Sequence, residues 1–154
     1  MAIASGLIKG IIPIAIVGCL IACRSPKDPI LALLDDLKKA AESRDVGAVV
    51  AKLTEDFQGG PGTRRADVRP MLERYFLAYE KVNLEIYQVE VGRSETTATL
   101  RFRADFNGRP RAIGSLAGWL PPSAMFRFEL GLRQTKAGWQ VAQAEWEEVP
   151  PAGQ

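Results

Sequence analysis

An apolar run from Ile11 to Ile21 gives way abruptly to Arg24-Ser25-Pro26-Lys27-Asp28. Asp28 followed by Pro29 reads as a helix start, with the carboxylate capping free N–H groups and the proline presetting φ at the first helical position. Ile30, Leu33, Leu34, Leu37, Ala40 and Ala41 then recur at helical spacing and share one stripe. Asp35, Asp36, Lys38, Lys39 and Glu42 face water, and Ser43-Arg44-Asp45 interrupts the run. Asp45 caps a second predicted helix whose buried side is Val46, Val49, Val50, Leu53 and Phe57. Gln58-Gly59-Gly60-Pro61-Gly62 breaks it. A third predicted helix starts near Thr63 or Arg65 and runs to about Glu80. Its apolar face is Val68, Met71, Leu72, Tyr75, Phe76 and Tyr79, and Pro70 sits within its first two turns, where a missing N–H costs least.

The period then changes from near four to two, the mark of strands. Val82, Leu84 and Ile86 alternate, while Val89 and Val91 alternate out of phase, so a bulge is expected near Tyr87-Gln88. Ala98, Leu100, Phe102, Ala104 and Phe106 form a second strand, opposite Thr97, Thr99, Arg101, Arg103 and Asp105. Phe126, Phe128, Leu130 and Leu132 form a third, opposite Arg127, Glu129 and Arg133. Lys136-Ala137-Gly138 turns the chain into a fourth, Trp139 to Glu147. Between the second and third strands lies a segment, Asn107 to Ala124, too long for an ordinary hairpin loop.

This order implies an α+β domain, with N-terminal helices packed on a curved antiparallel sheet of about four strands, because the helices are the only cover for the apolar sheet face. Domain organisation reads as a leader over 1–22, a tether over 23–27, one domain over 28–149 and a tail over 150–154. The texture resembles the cone-shaped nuclear transport factor 2-like (cystatin-like) superfamily. The residues that carry the resemblance are Ala40-Ala41-Glu42-Ser43-Arg44-Asp45 at the end of the first helix, Leu53-Thr54-Glu55-Asp56-Phe57 at the end of the second, and Gly138-Trp139-Gln140-Val141-Ala142 with Ala144-Glu145-Trp146 near the close. In one respect the chain departs from that pattern: where family members place a short strand or hairpin between the second and third helices, only Gln58 to Thr63 is available.

Composition narrows the chemistry. Of 154 residues none is histidine, which excludes His-based general acid–base catalysis, Ser-His-Asp and Cys-His triads and the common His zinc sites. No catalytic set, metal site or cofactor motif is expected. The formal net charge of +2 shows no strongly basic balance, so nucleic acid is not an expected partner. The two cysteines, Cys19 and Cys23, both lie at the end of the apolar run. There, Leu20-Ile21-Ala22-Cys23 resembles a bacterial lipobox, in which the thiol becomes thioether-linked to a diacylglycerol. Ile16-Val17-Gly18-Cys19 also fits the pattern, but Cys23 is followed at once by polar residues. The apolar run falls short of the ~20 residues of a spanning helix. The expectation is a lipoprotein of the cell envelope held in the membrane through lipidated Cys23, on the periplasmic side of the outer membrane since Arg24 is not the Asp that retains lipoproteins at the inner membrane.

The cone resemblance further implies a pocket, with Tyr75, Tyr79, Phe102, Phe128 and Trp119 as its lining. The competing expectation is that these aromatics simply fill the core. Ile113, Leu116, Trp119 and Leu120 make the long loop a candidate lid or partner-docking element. The leading function is non-catalytic binding of a small apolar ligand or an envelope protein. One alternative is a His-free lyase or isomerase using Asp and Tyr, with Asp56, Asp105 and Glu129 as the available carboxylates. Another is a structural subunit that forms a homodimer through its sheet face. That face carries Arg101, Arg103, Arg127 and Arg133 beside Asp105 and Glu129. Arg64, Arg65, Arg69 and Arg74 form a second basic group on the third helix.

Overall fold

Asp28 Oδ1 accepts the Ile30 N–H at 2.9 Å, which fixes the start of the first helix with Pro29 at its first position. In the computed structural model, which describes residues 27–111 and 123–150, this helix, α1, spans Pro29–Glu42. Its apolar stripe buries Ile30, Leu33, Leu34 and Ala40. Arg44 then takes a left-handed conformation (φ 56°), and the Asp45 N–H closes onto the Ala40 carbonyl at 2.8 Å. Asp45 in turn caps α2, Val46–Ala51, by accepting the Ala48 N–H at 2.9 Å.

The second predicted helix is corrected here. After six residues it stops, and Leu53–Gly59 is a strand, β1, whose buried residues include Leu53 and Phe57. A turn through Gly60-Pro61-Gly62 leads to β2, Thr63–Arg64, which pairs antiparallel with β1. The hairpin between the second and third helices is therefore present. It draws Leu53 to Phe57 from the stretch whose spacing predicts helix, which is how it fits in so short a connection. The third helix, α3, spans Arg65–Ala78, and the Asp67 carboxylate accepts the Arg64 N–H at 2.9 Å at its start.

Four long strands follow: β3 Tyr79–Arg93, β4 Thr97–Pro110, β5 Ser123–Thr135 and β6 Gly138–Val149. The sheet thus has six strands rather than about four, in the order β2-β1-β6-β5-β4-β3. It is mixed rather than wholly antiparallel, since β1 runs parallel to β6. In β4, Ala98, Leu100, Phe102, Ala104 and Phe106 are all buried, while the residues between them face outward. The bulge in β3 lies between Tyr87 and Glu90, with Gln88 at φ 53°. It reverses the strand's phase, so Ile86 before it and Val91 after it both pack on the core while Val89 is exposed.

The helices lie across one face of this sheet. One core cluster joins Ile30, Leu33 and Leu34 of α1 to Leu100 and Phe102 of β4 and Leu130 and Leu132 of β5. A second gathers Phe76, Tyr79, Val82 and Phe106 at the other end. On the opposite face the arginines meet carboxylates: Arg101 with Glu129 at 2.8 Å, Arg127 with Glu147 at 2.6 Å, and Arg133 with Asp56 at 2.9 Å.

Candidate functional site: an apolar cavity with a tyrosine at its wall

The two clusters do not fill the space between helices and sheet. A cavity of about 820 Å³ remains. Period-two alternation sends Phe102, Ala104 and Phe106 of β4 and Phe126, Phe128 and Leu130 of β5 into its floor. Phe102 and Phe128 stack there with ring centroids 5.1 Å apart and planes 15° from parallel. Helical spacing brings Leu34, Leu37 and Ala41 from α1, and Leu72 and Tyr75 from α3, into the opposite wall. Arg74, Trp146 and Glu148 line it too and are solvent-exposed, so the cavity opens on their side.

Tyr75 lies at 5.2 Å from the Tyr79 ring and 5.1 Å from the Phe106 ring. Tyr79 is held tightly by Gly108, where a Cβ would come within 2.5 Å of the Tyr79 ring. Burial pushes the Tyr75 phenol up from its ordinary value, and the neighbouring Tyr79 and Glu148 push it further the same way. Burial also raises Tyr79. Tyr75 is therefore a neutral phenol in the physiological range. No hydrogen bond ties its hydroxyl to another of the described residues. The other polar groups on the wall are Lys38, which is paired with Glu42, and the exposed Arg74 and Glu148. Burial pushes Glu42 up, but hydrogen bonds from Lys38 and from the Leu84 N–H outweigh it and hold the carboxyl below its usual range.

Of the residues expected to line a pocket, Tyr75, Tyr79, Phe102 and Phe128 meet at this cavity. Trp119, and with it Ile113, Leu116 and Leu120, lies outside the described residues, as does Cys23. The sequence reading missed Trp146 and Glu148. Their signal was available, since Ala144, Trp146 and Glu148 share one face of β6 by alternation.

The three carboxylates considered for catalysis are committed elsewhere. Asp56 stands in an exposed position of β1, not at a helix end, and its hydrogen bond with Arg133 holds it below the usual carboxylate range. Arg101 does the same to Glu129. The Tyr87 hydroxyl donates to Asp105 at 2.8 Å. Among the described residues no group of three or more metal-ligating side chains lies together.

Comparison with solved structures gives the fold the same identity as its topology. A ketosteroid isomerase-like protein from Erwinia carotovora atroseptica superposes with a TM-score of 0.61 at 22% identity, covering 79% of this chain and 95% of that one. A candidate dehydratase of the nuclear transport factor 2-like family from Streptomyces avermitilis superposes with a TM-score of 0.66 at 12% identity, covering 80% and 95%. A candidate aromatic ring hydroxylase from Novosphingobium aromaticivorans gives 0.66 at 19% identity, covering 80% and 88%. No family model matches the chain, and no curated protein matches it. The fold is the cone of these proteins; at such identities the likeness extends to the fold alone.

Proposed function

We propose that this domain binds one small, largely apolar molecule inside the cone without transforming it, and that lipidation of Cys23 holds it at the bacterial cell envelope. The observation that carries the binding reading is the 820 Å³ space walled by aromatic and aliphatic side chains. Pockets of roughly 300–1,000 Å³ with an apolar wall and few polar groups are what drug-sized ligands occupy. The Tyr75 hydroxyl, free of any partner among the described residues, is the polar group that would orient the occupant by donating to a carbonyl or hydroxyl oxygen. The non-catalytic reading is supported by the carboxylates. Asp56 is fixed to Arg133 and Glu129 to Arg101, and Asp105 accepts from Tyr87. The carboxylate on the wall, Glu148, is exposed to solvent.

Native mass spectrometry of the chain purified in a non-ionic detergent tests the reading. An added mass of a small molecule on the folded protein is expected, or uptake of an apolar fluorescent probe where the purified protein is empty. A protein that shows no added mass and takes up no probe would overturn it. The anchor has a separate test: acyl mass should vanish in Cys23→Ala, and acyl mass retained through Cys19 would overturn the site.

A further inference from the structure

On the far side of Phe76 from the apolar cavity lies a second one, of about 420 Å³, between the end of α1 and the end of α3. Two arginines face into it. Arg44 holds the left-handed backbone conformation noted above, uncommon for a residue with a Cβ. Its Nη1 donates to the Tyr79 carbonyl at 3.2 Å. Arg111 is pinned through its backbone N–H, which donates to the Ala78 carbonyl at 2.8 Å. Its Nε is shut off from solvent and donates to no atom among the described residues. An occluded donor left without an acceptor is costly, the more so on a charged group. Among the described residues neither guanidinium has a carboxylate within 4.0 Å. Glu73, the one carboxylate in the lining, faces Arg69 at 3.7 Å. Ser43 adds a hydroxyl to the same wall.

We propose that Arg44 and Arg111, with the Ser43 hydroxyl, form a binding site for a phosphate monoester. Two guanidinium forks offer more donors than the two oxygens of a carboxylate can accept, whereas a phosphate monoester presents three. Both guanidiniums line the same cavity and neither is neutralised by a carboxylate of the described residues, which leaves their charge and their Nη donors for an entering oxyanion. Leu77, 64% exposed at the rim, offers an apolar shoulder for the organic part of the ester. This site shares only the Phe76 ring with the apolar cavity and does not depend on what that cavity holds.

The test uses the full chain in non-ionic detergent and calorimetric titration with two probes, inorganic phosphate and micelles doped with phosphatidic acid. Arg44→Asn removes the guanidinium and keeps a residue that tolerates the left-handed backbone. Arg111→Lys keeps the charge and loses the fork, and Arg127→Gln, on the opposite face of the sheet, is the surface control. Weakening of about tenfold or more in Arg44→Asn, a smaller loss in Arg111→Lys and none in Arg127→Gln is expected. Arginine-dependent binding of inorganic phosphate would identify a soluble ester as the ligand, and such binding confined to the doped micelles would identify a lipid headgroup; either supports the site. No binding of either probe, or equal loss in Arg127→Gln, would overturn it.

Discussion

Tyr75 brings a half-buried phenol to a largely apolar wall. Its ring packs among Phe76, Tyr79 and Phe106, which fixes where the hydroxyl points. Burial, with Tyr79 and Glu148, raises its pKa above the ordinary 10.0. The folded protein therefore holds this proton longer than the unfolded chain does. The stability linked to it is intact below the unfolded value and is lost as pH rises past that value towards the folded one. Tyr75→Phe keeps the ring contacts and removes the ionisable group. Thermal melts across alkaline pH should show a shallower loss of stability in the variant than in the parent, with the residual slope owed to Tyr79 and Tyr87, whose phenols are raised in the same direction, the first by burial and the second by its hydrogen bond with Asp105. Equal slopes would mean that Tyr75 is not the desolvated group. The same substitution should weaken an oriented ligand by up to about tenfold, the worth of one neutral hydrogen bond.

At the scale of elements, most of the architecture was legible because apolar spacing and burial agree. The stripe of α1, the inward face of β4 and the bulge in β3 are all written as regular intervals, and the structure places them where those intervals point. The failure was local. Val46, Val49 and Val50 have helical spacing, and Leu53 and Phe57 continue it. Yet a separation of four is also two steps along a strand, so Leu53 and Phe57 face the core equally well in β1. What decides for the strand is not local: the Lys52 carbonyl accepts the Val141 N–H at 2.9 Å, and the Gly60 N–H donates to the Ala144 carbonyl at 3.1 Å. These partners stand far along the chain, beyond the reach of a periodicity argument. Pocket lining followed the same division: aromatics on clear strands and helices were legible, whereas Trp146 and Glu148 lay on a strand whose inward face had not been assigned. The β3 bulge carries its own prediction. Gln88 sits at φ 53°, where a side chain costs about 1–2 kcal/mol. Glycine removes that strain but adds about 0.5–1 kcal/mol of unfolded-state entropy. Strain outweighs entropy, so Gln88→Gly should raise the denaturant midpoint by an amount worth about 0.5–1 kcal/mol. A lower midpoint would show that the Gln88 side chain holds the bulge by contacts that outweigh the backbone.

At the scale of the whole molecule, the cavity is a cost that the fold carries. Protein interiors are ordinarily packed as densely as organic crystals, and unfilled core volume destabilises by about 24 cal/mol per Å³. The cone geometry explains how the space persists. The sheet curves away from the helices, and the clusters at its two ends each draw on both α1 and α3, Leu34 with Val68 in one and Ala41 with Phe76 in the other. A fold kept for its shape alone would gain from filling that space, whereas a binding domain would lose its purpose. Ala104 separates the two alternatives. It is buried on β4 and its side chain borders the cavity between Phe102 and Phe106. Ala104→Leu adds three carbons, on the order of 50–60 Å³, into open space, and the same coefficient makes that worth about 1 kcal/mol of added stability. The expected result is a variant that melts higher than its parent and no longer carries, or takes up, an apolar guest. Lower stability with capture intact would mean that the space beside Ala104 is already closed by neighbouring side chains and that the guest occupies another part of the cone.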